Sequence, residues 1–98
     1  MAEPAAPPDG PHDVPVTVRF FAAARAAAGA EFRTLTVRDR ATVAEVLDSL
    51  AEGDPQLARV LSRCSYLCDG VAVSAEAAAT RQVKSGQTVD VLPPFAGG

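Results

Sequence analysis

The 98-residue chain is short of the side chains from which most catalytic and metal centres are built. It has no Trp, no Ile, one His, one Lys, one Tyr and two Cys. Two cysteines exclude a disulfide scaffold, and one His with two Cys is too few for a four-ligand zinc module. A chain of this length forms one small domain with a thin core. We therefore expect neither a metal site nor a self-contained enzyme with a side-chain catalytic centre.

The chain also lacks a basic surface and a long apolar run. Its net charge of −3 belongs to the first fifteen residues, because the rest carries nine acidic and nine basic residues. Without a basic stripe, nucleic-acid binding is disfavoured. The longest unbroken apolar run is Phe20–Ala24, whereas a membrane span needs about 20 residues. The first fifteen residues lack the basic start and apolar stretch of a secretory signal. Two unaccompanied cysteines fit a reducing compartment, so we expect a cytoplasmic protein that does not bind membranes.

Five of the eight prolines fall within the first fifteen residues, which show no apolar periodicity. This composition predicts that residues 1–14 form a disordered tail. The single His, His12, lies in this segment. A His in a disordered tail is not held against a nucleophile, so His12 is not a candidate catalytic base.

Two β-strands are predicted at the start of the folded part, which we place at residues 15–92. The segment Val16–Phe21 is rich in β-forming residues, and apolar and polar residues alternate from Val16 to Phe20, the period of a half-buried strand. Phe32–Val37 is the second predicted strand, with Leu35 and Val37 on its inward face. Residues 22–30 form a small-residue connection with room for a helical turn, closed by Gly29. The residues expected to face the core are Val16, Val18, Phe20, Leu35 and Val37.

Helices and a second hairpin follow. Thr42 and Glu45 have the spacing of a capping box, and the next apolar residues share one helical face, namely Val43, Val46, Leu47 and Leu50. Asp54-Pro55 predicts the start of a shorter helix, Asp69-Gly70 a type I′ turn, and Thr88–Leu92 a last strand. This order is typical of an α+β protein of the β-grasp (ubiquitin-like) architecture, with a mixed sheet packed on one main helix plus a short helix.

The two cysteines, Cys64 and Cys68, are predicted to be independent thiols. On a strand, four residues span roughly 13 Å, whereas a disulfide needs Cα atoms within about 7 Å. They are therefore expected to serve as small apolar groups. A persulfide-carrying cysteine stays an alternative, although neither residue has a neighbouring base or helix N-terminus in the predicted structure to support it.

The last six residues, 93–98, are the unusual feature. Pro93-Pro94 favours an extended path, and six extended residues reach about 20 Å. Gly97-Gly98 places no side chain beside the terminal carboxylate, so a narrow tunnel in another protein can admit it. The alternative is a frayed terminus. The candidate reactive group is the carboxylate of Gly98, and the candidate partner contacts are Phe21, Pro94, Phe95, Ala96 and Gly97.

Three segments carry a resemblance to a known family: Val18–Arg25, Ala41–Leu47 and Ser85–Gly98. With them, the chain from Val16 onward resembles the MoaD/ThiS family of ubiquitin-like sulfur-carrier proteins. The ending Leu-Pro-Pro-Phe-Ala-Gly-Gly is the most specific segment. It is typical of the branch that supplies the small subunit of molybdopterin synthase.

The resemblance implies a mechanism in which the chain is not catalytic alone and binds no cofactor. An E1-like adenylyltransferase partner uses ATP and magnesium to adenylate the Gly98 carboxylate. A sulfur donor (a sulfurtransferase or desulfurase) then replaces AMP and leaves a thiocarboxylate. In the molybdopterin branch the tail enters the large subunit of molybdopterin synthase. There the sulfur is transferred to cyclic pyranopterin monophosphate.

Three alternatives stay open. The same sulfur chemistry can supply thiamine, cysteine or another thio-metabolite. The chain can instead be a ubiquitin-like protein modifier that joins Gly98 to lysines of target proteins. Finally, it can be a passive interaction domain whose sheet face, with Phe21 and Phe95, binds a partner.

Overall fold

A five-stranded mixed sheet and four helices make up residues 13–94, the part of the chain that this computed structural model describes. The elements in chain order are β1 (Asp13–Phe20), α1 (Ala22–Ala28), β2 (Phe32–Arg38), α2 (Val43–Ala51), α3 (Pro55–Leu61), β3 (Ser65–Cys68), β4 (Val71–Val73), α4 (Ala75–Ala78) and β5 (Thr88–Leu92). The predicted β-grasp fold is confirmed. The predictions for residues 1–12 and 95–98 fall outside the described residues.

The sheet has the strand order β2-β1-β5-β3-β4. β1 and β5 run parallel, with Val18 opposite Val89, and every other neighbouring pair is antiparallel. The last strand of the chain therefore lies in the middle of the sheet. The Asp69-Gly70 turn joins β3 to β4, and both residues have positive φ angles, of 49° and 82°. These are the backbone angles that a type I′ turn requires.

β1 begins earlier than predicted and ends one residue sooner. Asp13 and Val14, assigned to the disordered tail, pair with Arg38 and Val37 of β2. Pro15 is tolerated in this strand because the pairing of β1 with β5 begins only at Thr17, so no ladder bond to β5 is lost.

Two short helices, α1 and α4, go beyond the prediction, which allowed a single helical turn at α1 and no helix at α4. Both consist mostly of alanine, which has the highest helix propensity but gives no apolar periodicity when it occupies every face. Their ends carry the informative residues. Gly29 ends α1 with a left-handed φ of 71°, and the Ser74 side chain accepts a hydrogen bond from the backbone N–H of Ala77 at the start of α4.

The core lies between one face of the sheet and the helices. The predicted inward residues of β1 are buried, as is the stripe of α2, whereas Leu35 is half-buried. α3 adds Leu57 and Leu61, both buried. Each fully buried Val or Leu contributes roughly 1.5–3 kcal/mol, so a core made mainly of valine and leucine can hold this small sheet together.

The predicted capping box at the start of α2 is present. The backbone N–H of Glu45 donates to Thr42 Oγ1 at 3.2 Å, and Glu45 Oε2 accepts from the backbone N–H of Thr42 at 3.2 Å. The same carboxylate accepts two hydrogen bonds from Arg38, and these bonds lower the pKa of Glu45. The box thus fixes the first turn of α2 and ties it to β2.

We expect Thr42→Ala to destabilise the fold by about 1 kcal/mol, the usual cost of losing a helix cap. Urea unfolding followed by circular dichroism measures the change. Ser49→Ala is the matched control, because Ser49 is exposed on the same helix and alanine favours a helix there. Equal destabilisation by the two substitutions would show that the box adds nothing to stability.

Candidate functional site

The candidate site lies where the chain leaves β5. The strand ends at Leu92, and Pro93 and Pro94 follow it, both exposed. Phe21 is fixed beside this exit because its backbone N–H donates to the carbonyl of Val91 at 3.1 Å. The structure thus brings together two of the predicted partner contacts, Phe21 and Pro94. The others, Phe95, Ala96 and Gly97, lie outside the described residues with Gly98.

An apolar groove of 290 Å³ runs alongside the two prolines; we call it the exit groove. Its lining residues are Phe21, Ala22, Ala23, Ala24, Arg59, Val60, Arg63, Cys64, Pro93 and Pro94. One wall therefore comes from the start of α1 and another from the end of α3. Sequence reasoning missed the α3 wall. The available signal was the four-residue spacing of Arg59 and Arg63, with Val60 beside them.

Ala22, at the mouth of the exit groove, has a left-handed backbone with φ 52°. For a residue with a Cβ atom this conformation costs roughly 1–2 kcal/mol. The strand-to-helix turn enforces it, because Phe20 ends β1 and Ala22 already begins α1. Strained residues often persist at functional sites, which agrees with the position of Ala22 beside the chain exit.

A bidentate ion pair lies on the opposite, outer face of the sheet and was not foreseen. Arg19 Nε and Nη2 donate to the two Asp90 carboxylate oxygens at 2.7 and 2.9 Å. The Asp90 side chain is only 11% exposed, against 53% for Arg19. These hydrogen bonds, with the charge of Asp90, raise the pKa of Arg19. The guanidinium also lies 5.7 Å from the ring centroid of Phe21, so the pair supports Phe21 beside the exit.

The two cysteines are free, as predicted, and neither is a good nucleophile. Cys64 is half-buried and its Sγ donates to the carbonyl of Val60 at 3.2 Å, while Cys68 is buried. Burial raises the pKa of both thiols, and for Cys68 the charge of Arg81 opposes this only in part. Because the thiolate is the reactive form, this environment counts against a persulfide-carrying cysteine.

Residues 13–94 show neither a candidate metal site nor a candidate membrane span. They contain no group of three or more His, Cys, Asp or Glu side chains placed to hold a metal ion. In the same range, each helix is too short or too polar to cross a bilayer.

These features define a ubiquitin-like β-grasp protein whose chain leaves from the central strand beside an apolar groove. The ThiS family model matches residues 18–98. The chain therefore belongs to the ThiS family, a family of ubiquitin-like sulfur carriers and modifiers. This confirms the resemblance found in the sequence.

Solved structures share the fold. The solution structure of the Haloferax volcanii HVO 2177 protein is 28% identical with a TM-score of 0.80, covering 100% of this chain and 99% of that one. Small archaeal modifier protein 1 from Methanosarcina acetivorans is 25% identical with a TM-score of 0.72, covering 90% and 100%.

A complex of subunits 1 and 2 of molybdopterin-converting factor from Helicobacter pylori also matches, with 20% identity and a TM-score of 0.62, covering 87% and 100%. At this identity the match shows the fold alone. A comparison with curated proteins finds no match.

Tyr66 on β3 has the most strongly shifted pKa that the described residues show. Its hydroxyl donates to the carbonyl of Leu61 at the end of α3. Burial of the phenol, with a smaller effect from Cys64, raises the pKa of Tyr66 to about 12. The neutral phenol thus joins the sheet to the α3 wall of the exit groove.

We expect the chain to lose stability as the pH rises from about 10, the ordinary pKa of a tyrosine, to about 12. In that window the unfolded chain releases the phenol proton and the folded chain keeps it, so rising pH favours unfolding. Tyrosinate absorbance reports the titration cleanly, because Tyr66 is the single tyrosine. Tyr66→Phe should remove this part of the pH dependence. A phenol that titrates near its ordinary pKa in the folded chain would contradict the partly buried hydrogen bond to Leu61.

Proposed function

We propose that this chain is a sulfur carrier for molybdopterin synthesis and that its reactive group is the terminal carboxylate of Gly98. One observation carries the proposal. The chain leaves the central strand of a ThiS-family sheet directly into Pro93-Pro94-Phe95-Ala96-Gly97-Gly98, and the family match extends to that end. The sheet acts as a rigid handle, and the last residues carry the chemistry.

The chemistry requires activation by a partner. A carboxylate is a poor acyl donor, so an E1-like adenylyltransferase forms an acyl-adenylate on Gly98 from ATP and magnesium and releases pyrophosphate. A sulfurtransferase or desulfurase carries its sulfur as a persulfide, which a thiol reductant converts to hydrosulfide while the reductant is oxidised to a disulfide. The hydrosulfide attacks the acyl carbon. AMP leaves with the bonding electrons, and a thiocarboxylate stays on Gly98. Gly97 and Gly98 contribute by having no side chain to block either partner's active site.

Molybdopterin synthase is the proposed destination of the sulfur. The ending from Leu92 to Gly98 supports this, since it resembles the molybdopterin branch of the family. The fold shared with a complex of molybdopterin-converting factor subunits supports a large subunit as the second partner. The tail enters that subunit and donates its sulfur to cyclic pyranopterin monophosphate. The chemistry needs ATP and a compartment in which the thiocarboxylate sulfur is not oxidised. Both needs favour the cytoplasm.

Incubation with the organism's adenylyltransferase, ATP, magnesium, a sulfur donor and a thiol reductant should add to the intact mass the difference between one sulfur and one oxygen. Fragmentation should place that difference on Gly98. A variant with Cys64→Ser and Cys68→Ser should gain the same mass, because neither thiol takes part. An unchanged mass with an enzyme active on its own substrate would overturn the carrier role. If the variant with both cysteines replaced gains no mass, the result would favour a persulfide on Cys64 or Cys68.

Gly98→Ala should abolish or strongly reduce sulfur loading and leave the unfolding midpoint unchanged, because the added methyl obstructs the partner's tunnel rather than the core. Gly86→Ala should lower the unfolding midpoint and leave sulfur loading unchanged. Gly86 has a left-handed φ of 82°, where an alanine costs roughly 1–2 kcal/mol, and it lies in the turn before β5. Loading and thermal stability falling together in Gly98→Ala would mean that the tail has a structural role instead.

A protein-modifier role is the second candidate, favoured by the similarity to small archaeal modifier protein 1. Its product is an isopeptide between Gly98 and a target lysine. In cell extracts, conjugates that survive strong reducing agents and disappear in the variant lacking Gly97 and Gly98 would support this role. Thiocarboxylated free chain without such conjugates would support the carrier role.

A further inference from the structure

Two residues that line the exit groove, Arg59 and Arg63, form no ion pair with another residue of the described chain. The ion pairs among residues 13–94 are Arg19–Asp90, Arg25–Glu31 and Arg38–Glu45. Arg59 and Arg63 take part in none of them, and no acidic residue lines the groove. An apolar groove whose lining includes two arginines without an ion-pair partner among residues 13–94 suits an occupant that is apolar along its length and carries a carboxylate.

The chain itself supplies such an occupant. Pro93 and Pro94 form one side of the groove, and the next four residues are Phe95, Ala96, Gly97 and Gly98. Four extended residues reach roughly 13 Å, so the segment can follow the groove from its rim. The groove has a volume of 290 Å³, and each water of the liquid occupies about 30 Å³. The groove can therefore accept a phenyl ring in place of several waters.

Tethering makes weak contacts more effective. The segment is joined to the rim at Pro94, so its binding is intramolecular and takes place at a high effective concentration. A separate peptide of the same sequence would also lose translational and rotational freedom on binding. Tethering therefore lowers the affinity that a docked state of this segment requires.

We propose that the exit groove is a binding site for the chain's own segment Phe95–Gly98, with the Phe95 ring against Val60 and the Gly98 carboxylate paired with Arg59 and Arg63. In this docked state the exit groove covers the apolar surface of the segment. A partner must displace it before Gly98 can enter the partner's active site. The inference concerns the free chain and goes beyond the proposed sulfur chemistry, which can hold or fail independently.

Nuclear magnetic resonance on the full chain, without any partner, tests this placement. We expect nuclear Overhauser contacts between the Phe95 ring and the methyl groups of Val60 and Ala23. With the Gly98 carboxyl carbon labelled, the carboxylate should titrate at least about half a unit higher in the variant with Arg59→Gln and Arg63→Gln, because nearby cations favour the charged form. The other titratable residue in the groove, Cys64, has a raised pKa and stays neutral throughout this titration.

A charge-matched control separates docking from a general loss of positive charge. The variant with Arg40→Gln and Lys84→Gln removes two exposed cations that lie outside the groove and should leave the titration midpoint and the Phe95 contacts unchanged. Phe95→Ala should raise the midpoint toward that of the groove variant. Equal midpoint shifts in the groove variant and in the control would overturn the proposal. So would an absence of contacts between the Phe95 ring and the methyl groups of Val60 and Ala23 in the free chain. Sulfur loading of Gly98 is measured in a separate experiment, and its outcome does not bear on the docked state.

Discussion

The parallel pairing of β1 with β5 is the interaction on which the rest of the structure depends. It joins the first strand of the domain to the last one, with Thr17 opposite Thr88 and Phe20 opposite Val91. β5 also pairs with β3 on its other side, so it connects two hairpins that otherwise share no strand. Three consecutive residues of β5, including Asp90, are buried as a result. The end of the folded domain is thereby held at the centre of the sheet.

The local part of this arrangement was predictable from the sequence. Alternating valines in β1, the Thr42–Glu45 capping box and the Asp69-Gly70 turn each act over a few residues, and each formed as expected. The alanine-rich helices were not predictable from periodicity, because a segment with small residues on every face has no distinct apolar stripe. Gly29 marked the end of α1 correctly, since a left-handed residue is a backbone requirement rather than a packing choice.

The candidate site was only half predictable, for a physical reason. Phe21 and Pro94 were named because they stand out as exposed or stiff residues in the sequence. Arg59 and Val60 were not, because their place in the groove arises from the contact between α1 and α3. The ion pair of Arg19 and Asp90 joins residues 71 positions apart. Such a pair depends on the order of the strands in the sheet. Local patterns in one sequence do not predict that order.

The position of β5 also has a mechanical consequence. In the proposed function, a partner that draws the terminal segment into its active site applies its load at the end of the central strand. The hydrogen bonds of β5 to both neighbours lie across the strand axis, so they resist a load along that axis together in shear instead of opening one after another. An edge strand peeled away from the sheet would yield bond by bond. In the proposed function, this arrangement lets a partner grip and release the last residues while the fold stays closed.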